Sequence, residues 1–323
     1  MRSPGVMRAV VAAAVLLASG CSGGDGPGWV ASAIPGLLGA LGKATATDTN
    51  RTYVEYGDLA QVRALTDRDE DRFQGISGYG YGVLAPMTVV ISEELGFDPR
   101  AMDEALTVGR PPDWAGVFWG DYDVAELDQE LEGRDIPSEK SGDGTRWTSA
   151  DDREINFEGP LAGIARTSEL NNIRTADGSL AYAPTRAGLG WVTDPGADTL
   201  ADDESLRALA GCLGGVTVAV LSRPEGDVTA YAAGVRAPSA DDVTDVACLA
   251  PDGDADALRD HVERELRDGT TPSSRQPWSE LLPAAEVDVV DGVVRIEATP
   301  GADSPVGMVM RMLVTNDLAA LAG

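Results

Sequence analysis

Two Asp-Gly pairs, Asp177-Gly178 and Asp291-Gly292, each stand between short runs of apolar and β-branched residues, and they constrain the fold of this chain more than any other feature. A two-residue turn joining paired strands needs left-handed backbone at its centre, which Asp and Gly tolerate best. Residues 172–175 with 179–183, and 287–290 with 293–298, therefore read as β-hairpins. Residues 216–221 and 228–235 read as two apolar strands joined through Pro224-Glu225-Gly226-Asp227, with a third over 243–249. Earlier in the chain, 52–56 reads as a strand before a turn at Gly57-Asp58, and 115–119 as a strand before Gly120.

Between these strands, acidic residues stand where helices begin. A side-chain oxygen there accepts a hydrogen bond from a first-turn N–H that has no partner within the helix. Asp58, Asp98, Asp123, Asp203 and either Asp254 or Asp256 fill that place. They predict helices over 59–65, over 100–106 with Met102 and Leu106 on one face, and over 124–131 with Leu127 and Leu131 inward. Two more are predicted over 204–212, ended by Gly214-Gly215, and onward to Leu266 with Leu258, Val262 and Leu266 aligned. Asp123 and Glu126 have capping-box spacing. Ile34, Leu37, Leu38 and Leu41 fall three or four apart, so residues 29–41 read as a first packed helix or helical turn. Residues 135–152 read as a solvated loop, 188–192 as a further strand, and 308–313 as a final strand because Met308, Met310 and Met312 alternate. Hairpins interrupted by single helices define an α+β fold of mostly antiparallel sheets with packed helices. The recurring order of strand, acidic cap and helix raises the expectation of two related halves, 29–200 and 201–323.

Charge narrows the partners. The chain carries 53 acidic against 25 basic side chains, a net charge of -28, and such a surface repels nucleic acid and anionic lipid headgroups. Cys212 and Cys248 lie beside apolar sequence, and outside the cytoplasm an even pair favours a disulfide over two buried thiols.

The first residues bear on location. Arg2 and Arg8 precede an apolar run over 9–18, the form of a signal peptide, and the run is about half the length needed to cross a bilayer core. Leu17-Ala18-Ser19-Gly20-Cys21 resembles the lipobox of bacterial lipoproteins. With Trp119-Gly120-Asp121-Tyr122-Asp123 and the segment from Asn171 to Gly178, the chain resembles uncharacterised actinobacterial cell-surface lipoproteins. The resemblance implies that 1–20 are removed as a leader, that Cys21 is lipidated by palmitate-type chains, and that 21–28 form a flexible tether. The protein would then be extracytoplasmic and held to the cell membrane through its N-terminal lipid. The competing expectation is a secreted protein cut near Ala18 or Gly20, with Cys21 a free thiol.

No residue set compels an enzymatic reading. His261 is the sole histidine and reads as a partly exposed helix residue; neither a multi-histidine metal site nor the usual serine hydrolase triad can be assembled from local motifs, and there is no Gly-x-Ser-x-Gly elbow. The segment from Ser77 to Gly82 is glycine-rich but lacks the lysine and hydroxyl residue of a phosphate-binding loop. It reads as a tight turn, strand edge or rim, where Tyr79 and Tyr81 are candidates to line a ligand groove. Trp147, in its polar segment, and Trp278, after Pro277, are the other groove candidates and are expected to be exposed. Asp252, Asp254, Asp256 and Glu263 have calcium-loop spacing, but Ala257 stands where the sharp turn needs Gly, and helix capping accounts for the acids. No catalytic, metal or cofactor residue is assigned. The leading expectation is a non-enzymatic cell-envelope lipoprotein binding a protein partner or small ligand. The alternatives are the solute-binding component of a transporter, which needs two comparable lobes, and an envelope hydrolase, which needs carboxylates converging in a cleft.

Overall fold

The structure, a computed structural model, describes residues 36–165, 167–223, 230–302 and 304–322. The leader, Cys21, the tether and the turn from Pro224 to Asp227 lie outside the described residues.

The aspartates do what their positions predict. Asp58 accepts from Gln61 N at 2.9 Å, Asp123 from Glu126 N at 3.0 Å, Asp203 from Leu206 N at 3.0 Å and Asp254 from Asp256 N at 2.9 Å. In chain order the elements are α1 (Leu37–Leu41), β1 (Tyr53–Asp58), α2 (Leu59–Arg68), α3 (Glu70–Phe73), α4 (Thr88–Leu95), β2 (Glu104–Arg110), β3 (Asp113–Trp119) and α5 (Val124–Gly133). There follow β4 (Ser138–Ser141), β5 (Gly144–Thr148), β6 (Asn172–Ala176), β7 (Ser179–Ala183), α6 (Arg186–Thr193), α7 (Glu204–Leu213), β8 (Val218–Ser222), β9 (Ala230–Ser239) and β10 (Asp242–Ala250). The last are α8 (Ala255–Asp268), α9 (Trp278–Leu281), β11 (Glu286–Val290), β12 (Val293–Ala298), α10 (Met308–Val314) and α11 (Asp317–Leu321).

Among the described residues all twelve strands join one antiparallel sheet in the order β11-β12-β10-β9-β8-β1-β2-β3-β7-β6-β5-β4. The fold is therefore mixed α+β with helices packed on the sheet. Pairing of β1 with β8 is the midline. On one side β1, β2 and β3 form a meander, α5 follows, and the hairpin β6-β7 returns to place β7 beside β3. On the other side β8, β9 and β10 form a meander, α8 follows, and the hairpin β11-β12 returns to place β12 beside β10. Strands before the stretch 195–203 thus lie on one side of the midline and strands after it on the other.

Alternation along the strands divides the core into layers, as a two-residue period requires. Val54, Tyr56, Leu106, Val108, Val117, Leu221, Val246 and Cys248 face one layer, covered by α1, α6 and α7. The opposite face carries two clusters. Val218, Val220, Val235, Leu249 and Ile296 pack under α2, α8 and α10, whereas Trp114, Phe118, Leu180 and Tyr182 pack under α4 and α5. A disulfide joins Cys212 of α7 to Cys248 of β10.

Four elements differ from expectation, each for a local reason. Residues 100–106 are not a helix: one 3₁₀ turn over Pro99–Ala101 gives way to β2, where Leu106 and Val108 face one layer and Ala105 the other. The gap between β1 and β3 in the sheet overrides local preference. Residues 138–148 are a hairpin rather than a loop, and β4 carries no apolar signal because it is a short, charged edge strand. Residues 188–192 lie inside α6, started by Thr185 Oγ1 accepting from Gly188 N at 2.9 Å; two glycines had masked the helical spacing of Leu189 and Val192.

The alternating methionines form α10, not a strand. Over six residues, periods of 2.0 and 3.6 are hard to separate, and here Val309, Met310 and Met312 are all buried. Asp245, buried on β10, accepts from Gly307 N at 3.0 Å and Met308 N at 2.7 Å, which fixes the start of α10. Burial pushes its carboxyl up to about 6, against those hydrogen bonds, which lower it. An acid whose folded pKa is raised favours folding below its ordinary pKa, and that advantage is lost as pH rises through the folded value. Asp245→Asn keeps an acceptor at the helix start and removes the ionisation. The variant should gain about 3 kcal/mol on the wild type between about pH 3.5 and 7. Urea unfolding across that range checks this, and parallel pH curves would overturn it.

Candidate functional site

The glycine-rich segment is a strap laid across the second face of the sheet. A Cβ on Gly57 would run into the carbonyl oxygen of Tyr79, and one on Gly80 would stand 2.9 Å from Ala105 Cβ. Gly82 has positive φ and leaves no room for a Cβ against Thr107, so the backbone approach itself requires these glycines.

Side chains from three strands hold the strap. Glu55 of β1 accepts from Gly80 N at 2.8 Å and Gly82 N at 3.1 Å through Oε1, and from the Tyr53 hydroxyl at 2.9 Å through Oε2. Thr107 of β2 donates to Gly80 O at 3.0 Å, and Tyr182 of β7 donates to Tyr81 O at 2.9 Å. Glu55 is buried, and among the described residues no cation lies within 4.0 Å of it. Burial raises its pKa, partly offset by the three hydrogen bonds. Burial and the neighbouring Glu55 charge likewise push the Tyr53 hydroxyl far above its usual range.

Two clefts use the strap as a wall. The larger, of about 800 Å³, runs along α2 and α3 past Ser77, Gly78 and Tyr81 to Thr88 and Arg100. It overlies the seam between the two clusters of that face, with Val62 belonging to one and Leu59 and Tyr81 to the other. Its two arginines are already engaged, Arg63 with Asp103 at 3.5 Å and Arg100 with Asp98 at 2.8 Å. Asp67 and Glu70, also in the lining, are exposed and have no ion-pair partner among the described residues. The cleft therefore presents free negative charge. The smaller, of about 380 Å³, is lined by Tyr53, Glu55, Gly82, Val83, Thr107, Gly109, Arg110, Pro111 and Trp114.

The four groove candidates do not converge. Tyr81 lines the larger cleft, its hydroxyl pushed up to about 12 by burial. Tyr79 is half-buried and packs against the α2 and α8 cluster. Trp147 and Trp278, expected at the surface, are buried and line neither cleft. Trp147 points inward because 144–148 is a strand, and its indole N–H donates to Asp128 Oδ1 at 3.2 Å. Trp278 is the largest fully buried side chain and fills the cluster under α8. Sequence reasoning missed Glu55, Arg63, Asp67, Glu70 and Arg110. One signal was available: Glu55 interrupts the apolar alternation of a strand bounded by Tyr53 and Tyr56.

Among the described residues no group of three or more His, Cys, Asp or Glu side chains is placed to hold a metal ion. His261 is half-buried on α8, and Asp254 is spent on capping that helix. No protein-family model matches the chain, and no curated protein does so either. Among solved structures, crystal form III of TP0453 aligns with TM-score 0.43 and 11% identity over 87% of this chain and 98% of that one. Crystal form I aligns with TM-score 0.40 and 9% identity over 88% and 98%. At these values the likeness indicates neither a shared activity nor a shared ligand.

Proposed function

We propose that the protein is a lipid-anchored envelope protein that binds, rather than transforms, a cationic small ligand or short cationic segment of a partner. The observation that carries the binding reading is the cleft of about 800 Å³. That volume falls in the range of small-molecule sites, and it opens where two packed clusters meet. Its free carboxylates on Asp67 and Glu70 favour a positive ligand, because Arg63 and Arg100 are held by acids of their own. One continuous sheet has no hinge between lobes, which leaves the transporter-component alternative with less support.

The anchor reading is supported by the lipobox-like Leu17 to Cys21 and by the strongly acidic chain, which has no charge attraction to anionic headgroups. No helix among the described residues is long and apolar enough to cross a membrane. Mass spectrometry of the membrane fraction of the native host should find a diacylated Cys21 as the mature N-terminus. An unmodified Cys21 thiol, or an N-terminus elsewhere, would overturn the anchor.

For the cleft, titration calorimetry of the full chain with spermidine and with trilysine should show saturable binding, and trialanine none. Ala85 lines the cleft and is exposed, so Ala85→Trp fills the space without disturbing the core. It should weaken binding roughly tenfold or more. Equal binding by the tryptophan variant would mean that the polycations meet only the general acidic surface, and the proposed site would fall.

A further inference from the structure

The geometry points to a second binding site, in the cleft of about 380 Å³, for a small zwitterion of the α-amino-acid class with an apolar side chain, its ammonium at Glu55 and its carboxylate at Arg110.

The argument starts with what is unspent in that cleft. A carboxylate offers about four acceptor positions. On Glu55 two are filled at Oε1 by Gly80 N and Gly82 N and one at Oε2 by Tyr53, so Oε2 keeps an acceptor position on a residue that lines the cleft. All three donors are neutral, and a buried carboxylate without a cation is an expensive group to ionise. A ligand ammonium would supply both the missing charge and the fourth hydrogen bond. Asp245, also a buried acid with a raised pKa, differs here because its donors, Gly307 N and Met308 N, are fixed by the start of α10 and it lines neither cleft.

Arg110 supplies the opposite pole. Its guanidinium lies over the Tyr53 ring at 4.7 Å from the centroid and donates to Ser222 Oγ at 3.1 Å. Among the described residues no carboxylate lies within 4.0 Å of it, in contrast to Arg63 and Arg100 of the larger cleft. Planar, forked N–H groups of this kind bind a carboxylate in bidentate fashion. Tyr53 connects the poles, since its ring carries the guanidinium and its hydroxyl touches Glu55. One tyrosine side chain therefore sets the separation between a cation and an acid that have no ion-pair partner among the described residues, which suits a ligand carrying both charged groups on one carbon. The lining also includes Val83, Pro111 and Trp114, which offer an apolar surface to the ligand's side chain.

Calorimetry of the full chain with L-phenylalanine and L-leucine tests this, set against N-acetyl-L-phenylalanine, which lacks the ammonium, and L-phenylalaninamide, which lacks the carboxylate. The free amino acids should bind saturably at one site, and each analogue should bind roughly tenfold more weakly or worse. Arg110→Met and Glu55→Gln should each cause a similar loss while keeping the trilysine response of the larger cleft, and Ala85→Trp should leave amino-acid binding unchanged. Arg110→Met disturbs none of the strap's hydrogen bonds, so it reports on recognition even if Glu55→Gln alters folding. No saturable heat from either amino acid up to about 10 mM would overturn the inference. So would analogues or Arg110→Met proteins that bind as well as their parents, or loss of amino-acid binding in Ala85→Trp.

Discussion

Replacing Cys212 and Cys248 together by alanine should lower the free energy of unfolding by about 4 kcal/mol. The bond closes a loop of 36 residues between α7 and β10, and a crosslink of that span removes much of the unfolded chain's freedom. Both sulfurs are buried in the layer where α7 packs against β9 and β10, so two alanines also leave small voids. Because the principal effect lies in the unfolded state, the guanidinium unfolding slope should steepen as well as the midpoint fall. The change should concentrate on α7, which is tied to the sheet by this bond and by Leu206, Leu209 and Leu213. Hydrogen exchange in 204–213 should accelerate before that in β9 or β10. An unchanged midpoint, or exchange in 204–213 no faster than with the disulfide in place, would show that packing alone holds α7.

What could be read from the residues, and what could not, follows from where the information lies. The hairpins at Asp177-Gly178 and Asp291-Gly292 and the helices begun by Asp58, Asp123, Asp203 and Asp254 were legible because turn and cap chemistry acts within four residues. β2 was not, because an acidic cap followed by Met102 and Leu106 satisfies helical spacing, and only partners at Val54 and Val117 make the segment a strand. Trp147 was misjudged for the same reason: Asp128 and Thr175, which receive its indole N–H, lie far from it in sequence. The clefts were still less legible. Ser77 to Gly82 announced a backbone that needs glycine, but what it crosses depends on β1 and β2 lying side by side. Arg110 and Glu55 stand 55 residues apart in the chain, and Tyr53 brings them to a common cleft only after the strands pair.

Glu55→Ala is the second change with a large expected effect, about 4 kcal/mol of lost stability. The alanine leaves Gly80 N, Gly82 N and the Tyr53 hydroxyl without their acceptor, and each buried unmatched donor costs roughly 1–3 kcal/mol, less where cleft water reaches it. Glu55→Gln separates hydrogen bonding from charge. Its amide oxygen can still accept from the two glycines, and its NH2 can donate to Tyr53 once that hydroxyl turns, so the strap stays in place. Burial raises the folded-state pKa of Glu55, so its protonated form favours folding at low pH, and that contribution is lost as pH rises through the raised value. The glutamine variant should match the wild type in acid and become the more stable of the two as pH rises towards neutral, whereas the alanine variant should be weaker throughout. Urea unfolding of the three proteins from about pH 4 to 8 reads both effects together. If alanine lay within about 1 kcal/mol of the wild type, the strap would not depend on Glu55. If glutamine and wild type kept a constant separation across the series, the carboxyl would titrate alike in the folded and unfolded chains.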